Sequence, residues 1–362
     1  MSFSHTMPAM LLLAVATAAA GAQPTLDLSP SCSTCRLRFE EVVAFQADWG
    51  SGGLPTRPMA VHRFARSHWI VLDAEAATVY RFDERGRYVG LIARRGAGPT
   101  EMQSPTLLLD WGADSVAVFD SGNAKALIFG PSGRLEREER VDVVPTIRAS
   151  RLASGGFLVA GMIGTHAGFG MPFHEYSRQG ALVRSFGSPA DARVVRPSQV
   201  PTYRTPMRIA ASGTFWAVDA RSPVIRQFAL GNTQRSEWQL PMSGFENFTT
   251  RRPGGAHGAE FFTIEERSDG LLMVGMILPD PRSLEAVGEA RIVDGHRVTV
   301  VDDWGRYVNT RFFVLDPANR RLIATADEDA YVSGSLGDGM YWGIRPGGDG
   351  GRLVVLRATF SR

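Results

Sequence analysis

The sequence predicts an all-β chain folded as a six-bladed β-propeller with four-stranded antiparallel blades. A five-residue strand pattern returns six times, each time after a polar or glycine turn. A four-stranded unit cannot bury its apolar faces alone, whereas six units arranged radially bury a continuous core between blades. The copies of the pattern lie at residues 69–73, 116–120, 157–161, 215–219, 271–275 and 340–344.

The first two copies show how each blade is built, because they align without a gap at an offset of 47 residues. Each reads as a strand ending in aspartate, a polar turn, a second strand ending in an aromatic residue, and a glycine turn before an outer strand. Aspartate and glycine suit such turns, since the carboxylate accepts hydrogen bonds from nearby backbone N–H groups and glycine adopts positive φ. The recurring Asp73, Asp120 and Asp219 are therefore predicted to be turn residues rather than metal ligands. The matched pairs are Asp73 and Asp120, Phe82 and Phe129, Gly86 and Gly133, and Arg87 and Arg134.

The later blades keep the pattern in a degraded form. Residues 315–320 resemble residues 82–87, with Asn319 in the position of Gly86. Asparagine is a common substitute where the left-handed conformation is needed. We therefore expect Asn319 to take a positive φ.

The sixth blade lacks one strand when it is read from its own segment, which supplies strands near 340–344 and 353–360. Residues 36–45, RLRFEEVVAF, have the composition and partial alternation of a strand. We expect this N-terminal strand to pair with the last blade and to close the ring, which removes an exposed sheet edge.

The first 22 residues are typical of a signal peptide. They contain no Lys, Arg, Asp or Glu, and residues 10–20 form an apolar run too short to span a bilayer. The small residues 20–22 predict cleavage between Ala22 and Gln23, although the usual basic n-region is missing and a membrane anchor is the alternative. No cysteine follows the small residues, which argues against a lipoprotein. No later segment is apolar for the roughly 20 residues of a transmembrane helix, so we expect a mature chain without stable membrane insertion, in the periplasm or outside the cell.

Charge and length limit the expected partners and the number of domains. The formal net charge of the 362-residue chain is +2, with no basic block, so nucleic acid is not an expected partner. Residues 1–22 are assigned to the signal peptide, 23–35 to a linker and 36–362 to one propeller domain, expected to be a monomer.

The only two cysteines, Cys32 and Cys35, form a CxxC motif in the linker. In an oxidising compartment they are expected to form a structural disulfide. Redox chemistry is the alternative, but it favours a helix N-terminus, and here a strand-like stretch follows. Arg36 stands where haem attachment needs histidine, and no second cysteine pair completes a zinc site.

The long irregular segments are expected on one face of the ring. They belong to connections between the second and third strands or between blades, at 162–172, 188–200, 241–258 and 277–310. Loops of this length are uncommon unless functional or disordered, so this face is the predicted binding surface. Arginine and aromatic residues there favour a peptide, protein or glycan partner, with a locally packed, solvated loop as the alternative. The candidate ligand-binding residues are Arg251, Arg252, His257, Asp303, Trp304 and Arg306.

No known catalytic constellation appears in the sequence. It contains no HExxH and no GxSxG, and the single lysine, Lys125, leaves SxxK chemistry without its base. No catalytic residue, cofactor or metal ligand is assigned. The alternative to a noncatalytic binding propeller is a metal-dependent, lactonase-like hydrolase or lyase with a site at the mouth of the central channel, where carboxylates could hold calcium. Whether the protein is an enzyme stays open on these grounds.

Residues 96–102, GAGPTEM, resemble the GxGPGE-type signature of secreted bacterial six-bladed propellers related to the NHL-repeat group. The resemblance is close over residues 87–133, although Thr100 replaces the usual glycine and Met102 a usual aromatic residue. It implies the fold and export. Related propellers include protein-binding NHL modules and, more distantly, calcium-dependent lactonases and an amidating lyase. Arg95 and Glu101 join the candidate ligand-binding residues, while a tight connector with Glu101 bonding backbone amides is favoured for this loop.

Overall fold

The computed structural model describes a chain built of β-strands and turns. The described residues are 30–46, 58–64, 67–112, 114–140, 148–160, 173–178, 180–187, 207–209, 214–218, 223–230, 234–240, 259–279, 285–286, 288–289, 291–293, 296–298, 308–347 and 350–362.

The first strand stands apart from the blade that follows it in sequence. It is β1 (Arg36–Ala44). Blade one contains four antiparallel strands, and a short fifth strand pairs in parallel with the outermost of them. These strands are β2 (Pro58–Phe64), β3 (His68–Asp73), β4 (Thr78–Asp83), β5 (Tyr88–Arg95) and β6 (Glu101–Met102).

Blades two, three and four are each a four-stranded antiparallel sheet. Blade two is β7 (Pro105–Gly112), β8 (Ser115–Asp120), β9 (Lys125–Phe129) and β10 (Leu135–Arg140). Blade three is β11 (Arg148–Arg151), β12 (Phe157–Ala160), β13 (Phe173–Tyr176) and β14 (Leu182–Phe186). Blade four is β15 (Met207–Ile209), β16 (Thr214–Val218), β17 (Val224–Ala229) and β18 (Gln234–Gln239).

Blades five and six complete the ring. Blade five carries a two-stranded hairpin between its second and third strands. Its strands are β19 (Glu260–Glu266), β20 (Leu272–Pro279), the hairpin β21 (Arg291–Val293) and β22 (His296–Val298), then β23 (Val308–Asp316) and β24 (Arg321–Glu328). Blade six has the spatial order β25 (Tyr331–Gly337), β26 (Met340–Gly347), β27 (Gly350–Ser361) and β1. The six-bladed propeller predicted from the recurring strands is confirmed.

The first strands of the blades form the inner wall of the ring. β2, β7, β11, β15, β19 and β25 are neighbours in that order, and β25 returns to β2. Each blade repeats the same path, so these strands all end on one face of the ring. We call it the short-turn face, because first strands join second strands there through short connections such as residues 113–114 and 338–339. The opposite face is the long-loop face.

Apolar packing between blades forms the core. Every residue of β8 is buried, because the second strand of a blade packs against neighbouring blades on both sides. Between blades one and two, Ile70, Leu72 and Val79 pack against Val116 and Val118, all essentially inaccessible. Burying five such side chains removes several hundred Å² of apolar surface from water, at about 25 cal/mol per Å². Contacts of this kind hold adjacent blades in register.

The N-terminal strand closes the ring as the sequence predicts. β1 pairs antiparallel with β27, from Arg36 opposite Ser361 to Ala44 opposite Val354. The Glu41 carboxylate accepts hydrogen bonds from Arg345 Nη1 at 3.1 Å and from Arg352 Nη2 at 2.8 Å. The last blade is thus completed by backbone pairing of β1 and by the ion pairs of Glu41.

The segment before β1 is attached to blade five. The Ser31 N–H donates to the Leu322 carbonyl at 3.0 Å, which joins the linker to β24. Cys32 and Cys35 are joined by a disulfide, and Cys35 is buried in the cluster between blades five and six. The disulfide loop therefore lies between the anchor at blade five and the strand that closes blade six.

The recurring aspartates organise turns where the structure describes them. Asp73 Oδ1 accepts hydrogen bonds from the N–H groups of Glu75 and Ala76, both at 2.9 Å. Asp120 accepts from the Gly122 N–H at 3.2 Å and also from residues of the preceding connection. Asp219 lies outside the described residues.

The turn after β23 differs from the predicted one. Arg320, with φ of 52°, takes the left-handed conformation that we expected for Asn319. This turn has four residues between Asp316 and Arg321, one more than separates Asp83 from Arg87. Asn319 instead donates from its backbone and side chain to the Asp316 carboxylate, at 3.0 and 2.7 Å. The extra residue moves the positive φ one position along the chain.

Asp316 should make stability sensitive to acid. Burial raises the pKa of its carboxyl, but hydrogen bonds from Asn319 and Ala318 outweigh burial and hold the pKa below its ordinary value of 3.8. The folded chain then binds this proton less readily than the unfolded chain, so the contribution to stability is present above pH 3.8 and is lost as the pH falls below it.

We expect Asp316→Asn to lower the free energy of unfolding by about 1 kcal/mol at neutral pH, since hydrogen bonds to a charged acceptor are stronger than those to a neutral one. The deficit should shrink when the pH is lowered below 3.8, as measured by denaturant unfolding across pH. A deficit that stays constant with pH would contradict the assignment.

Candidate functional site

The axis of the ring contains a cavity of about 330 Å³. Its wall is formed by the inner strands of blades one, two, three, five and six. The volume falls at the small end of the range for ligand sites in proteins, which is roughly 300 to 1,000 Å³. The wall side chains that keep some exposure are small or polar for the most part: Met59, Ala60, His62, Thr106, Asp110, Ala149, Ser150, Arg151, Ser335 and Leu336.

Three titratable or charged side chains line this cavity from three consecutive blades. His62 lies on β2, Asp110 on β7 and Arg151 on β11. Each sits at or within two residues of the end of its strand, so the three are gathered toward the short-turn face. The propeller symmetry places equivalent strand ends side by side, which explains how residues far apart in sequence meet there.

Asp110 is positioned by the turn that follows it. Its Oδ1 accepts a hydrogen bond from the Gly112 N–H at 2.7 Å. Gly112 has φ of +80°, a conformation that glycine adopts without steric cost. Trp111, between them, packs against Phe119 and Phe157 and is capped by the Arg137 guanidinium at 6.0 Å from its ring centre. The packing of Trp111 fixes the end of β7, and the turn orients the Asp110 carboxylate.

Arg151 lies beside the same turn from the next blade. A side chain at position 112 would overlap its guanidinium, so Gly112 makes room for the arginine as well as for the turn. Leu152, which follows Arg151, is buried and closes a tight turn with Gly155 and Gly156. Arg151 and Asp110 do not form an ion pair with each other. Within the described part of the chain, the Arg151 guanidinium has no hydrogen-bonded partner.

His62 is half-buried in the wall. Burial lowers the pKa of its imidazole, and the Asp110 carboxylate pulls that pKa up only in part. The ring is therefore mostly neutral at pH 7. Among the described residues, no hydrogen bond to this ring is formed. A neutral imidazole that faces a cavity can accept or donate one hydrogen bond to a ligand.

A buried carboxylate supports the wall on the opposite side. Glu265 on β19 accepts hydrogen bonds from Ser335 Oγ at 3.0 Å, Tyr341 Oη at 3.2 Å and the Gly339 N–H at 3.1 Å. Its side chain joins blade five to blade six, and all three donors belong to blade six. Glu265 is thus a structural residue that fixes Ser335 in the channel wall.

The loop at residues 96–102 is a tight connector. Glu101 Oε2 accepts the Gly98 N–H at 2.9 Å, Oε1 accepts Arg94 Nε at 3.3 Å, and the Gly96 N–H donates to the Met102 carbonyl at 2.8 Å. Lys125 Nζ, from blade two, donates to the Gly98 carbonyl at 3.1 Å. The Glu101 carboxylate is engaged in holding its own loop.

Arg95 and Glu101 lie on the paired strands β5 and β6, outside the cavity, with Arg94 opposite Glu101 and Arg95 opposite Met102. The Arg95 guanidinium donates to the Glu75 carbonyl, which ties the same connector to the neighbouring turn of blade one. The structure therefore groups these two candidate residues at one blade connection, and their contacts are internal to it.

The other candidate residues lie outside the described residues: Arg251, Arg252, His257, Asp303, Trp304 and Arg306. The same holds for most of the long segments that the sequence analysis expects on the long-loop face. Within the described ranges, no three His, Cys, Asp or Glu side chains are grouped closely enough to hold a metal ion. No helix in that part of the chain has the length and apolar character needed to cross a bilayer.

Sequence reasoning missed the channel cluster, because His62, Asp110 and Arg151 belong to no motif. One signal was present: each is a charged or titratable residue near the end of the strand that precedes a recurring strand. In a propeller that position faces the axis near one end of the channel.

Comparison with known proteins supports the fold. Residues 60–157 match the model of the DUF5128 family, described as a 6-bladed beta-propeller. No curated protein matches the chain in sequence.

Two solved structures share the architecture. One is a Bacteroides fragilis NCTC 9343 protein inferred to be exported, with a TM-score of 0.57 and 12% identity over 94% of this chain and 99% of that one. The other is a DUF4221 family member from Bacteroides vulgatus, with a TM-score of 0.57 and 10% identity over 91% of this chain and 99% of that one. At these identities the likeness concerns the fold alone.

Proposed function

We propose that the protein is an exported, noncatalytic binding propeller whose central channel holds a small polar ligand. The single observation that carries this proposal is the cavity of about 330 Å³ whose wall includes charged and polar side chains beside apolar ones. Ligand sites are concave and have a few convergent polar groups that fix orientation, and here such groups come from three blades. They include Arg151 and the His62 ring, which have no hydrogen-bonded partner among the described residues.

Export rests on separate support. Residues 1–22 have the apolar run and small-residue cleavage pattern of a signal peptide. A Bacteroides fragilis propeller of the same fold is itself inferred to be exported. The channel and the leader together favour a protein that captures a small molecule in the periplasm or outside the cell.

The channel proposal is tested by filling the cavity. Ser150 is half-buried on β11 and lines the wall. We expect Ser150→Trp to abolish the binding of ligands found in a thermal-shift screen of amino acids, short peptides and sugars, because an indole would occupy the space. A ligand at one hundred times its Kd should stabilise the wild type by about 2.7 kcal/mol and the filled variant by nothing.

Val183→Trp is the matched control. Val183 is 56% exposed on β14 of the same blade, so the variant adds the same side chain to the rim rather than to the channel. It should bind as the wild type does. Ligands that bind both variants equally would place the site elsewhere, and a screen without any binder that Ser150→Trp blocks would overturn the proposed function.

A further inference from the structure

The charged end of the channel points to a class of ligand. We propose that Arg151 and Asp110 bind a zwitterion, an α-amino acid or a short peptide, with its carboxylate on Arg151 and its ammonium group on Asp110. The inference rests on the proposed function, since it assigns the chemistry of the same channel.

The two charged side chains lie beside the same turn. Arg151 and Asp110 flank Gly112 from neighbouring blades, and both line the cavity. They have opposite charge, yet they make no ion pair with each other in the structure. Arginine presents a planar fork of N–H donors that matches a carboxylate. A ligand that carries both charges can therefore bridge them.

The charges of the described wall residues favour a ligand without net charge. Among the described side chains that line the cavity, one guanidinium and one carboxylate sum to zero, and the neutral His62 ring adds no charge. A dianion such as a phosphate ester would leave excess negative charge at this end of the channel. A simple cation would leave Arg151 without an anionic partner. A zwitterion satisfies both groups without a net charge. This balance favours it over a monoanion.

Neutral groups of the wall can add further contacts to the ligand. His62 can exchange one hydrogen bond with the ligand backbone or side chain, and the Ser150 hydroxyl lies on the wall beside Arg151. Asp110 keeps Oδ2 for the ammonium group while Oδ1 accepts the Gly112 N–H. The Gly112 turn thus presents the carboxylate and leaves space for the guanidinium, so the two charged groups are positioned before a ligand arrives.

The test uses calorimetric titration of the full-length mature chain with matched probes. Alanine carries both charges, alanine amide lacks the carboxylate and N-acetylalanine lacks the ammonium group. We expect alanine to bind at least tenfold more tightly than either derivative, a difference of about 1.4 kcal/mol, because each derivative loses a hydrogen bond between charged groups. Dialanine and trialanine distinguish a free amino acid from a short peptide.

Two variants test which group of the ligand each side chain binds. Arg151→Gln should weaken alanine about tenfold or more and should also weaken N-acetylalanine, which keeps the carboxylate, while the binding of alanine amide should not change. Asp110→Asn should weaken alanine and alanine amide, which carry the ammonium group, and should leave N-acetylalanine unchanged. The turn should be preserved, since the amide oxygen can still accept the Gly112 N–H. Arg85→Gln and Asp114→Asn are the controls, because they remove the same charges from exposed turn residues of blades one and two and should bind as the wild type.

The outcomes separate the two proposals. Equal binding of the three probes, or alanine affinity unchanged in Arg151→Gln and Asp110→Asn, would overturn the zwitterion inference. If no zwitterion binds but Ser150→Trp blocks a neutral sugar, the channel function stands and the zwitterion inference is wrong. If Ser150→Trp blocks no ligand at all, both the channel function and the zwitterion inference are wrong.

Discussion

Replacing Asp120 with alanine should lower the free energy of unfolding by about 3 kcal/mol or more, since each buried donor left without a partner costs roughly 1 to 3 kcal/mol. The carboxylate is 1% exposed and accepts four hydrogen bonds. The donors are the N–H groups of Gln103 at 3.0 Å, Ser104 at 2.7 Å and Gly122 at 3.2 Å, and Asn123 Nδ2 at 2.7 Å.

Denaturant unfolding of the variant provides the measurement, and two further variants sharpen it. Asp120→Asn retains one acceptor oxygen and should lose less stability than the alanine variant. Asp83→Ala removes a turn carboxylate of blade one whose hydrogen bonds, from the Arg85 N–H and from the N–H and Nε of Arg87, lie within its own turn. The larger effect is expected at Asp120, because its carboxylate joins the blade turn to the connection from blade one. Equal losses at the two positions would show that the bridge contributes nothing beyond the turn.

Replacing Phe45 with alanine should cost about 3 to 5 kcal/mol, the usual range for truncating a buried phenylalanine. Phe45 is 1% exposed and packs edge-on against Phe82, with ring centres 4.9 Å apart, and against Trp69 at 6.3 Å. Its N–H donates to the Leu353 carbonyl at 3.0 Å. One side chain therefore joins the closing segment to blade one while its backbone stays paired with blade six.

Val42→Ala is the matched control for this variant, since Val42 is 39% exposed on the same closing strand. Its stability should stay within about 0.5 kcal/mol of the wild type, as is usual for exposed positions. If Phe45→Ala unfolds at the same denaturant concentration as Val42→Ala, the closing segment is not held by this aromatic contact.

The architecture could be predicted because it repeats. The strand ending in Asp73 and the one ending in Asp120 pack in equivalent places, so the same apolar residues and turn residues recur in sequence. Ring closure was also predictable, because residues 36–45 have a strand pattern and the sixth blade lacked a partner. The turn after Asp316 was not, since one extra residue moved the positive φ from Asn319 to Arg320. Turn length depends on a register that composition does not reveal.

The site was less accessible to sequence reasoning. Loop length directed attention to the long-loop face, and the candidates Arg251, Arg252 and Trp304 stay predictions. The channel cluster arises from the juxtaposition of blades: Asp110 and Arg151 are 41 positions apart in sequence, and only the radial arrangement brings both to Gly112. Glu101, by contrast, was expected to bond backbone amides, and its hydrogen bond from the Gly98 N–H has that character.

The pairing of β1 with β27 has a kinetic consequence. Glu41 contacts Arg352 across 311 positions of sequence, so the first strand of the ring pairs with the last one. Loop-closure entropy opposes such a contact, and contacts of high sequence separation slow folding. Blades one to five can each form from local pairings, which favours an intermediate that is nearly complete and still open at one edge. Ring closure is then the slow step. In refolding, the fluorescence of Trp342, which packs against the closing segment, should develop after that of Trp111, which packs between blades two and three.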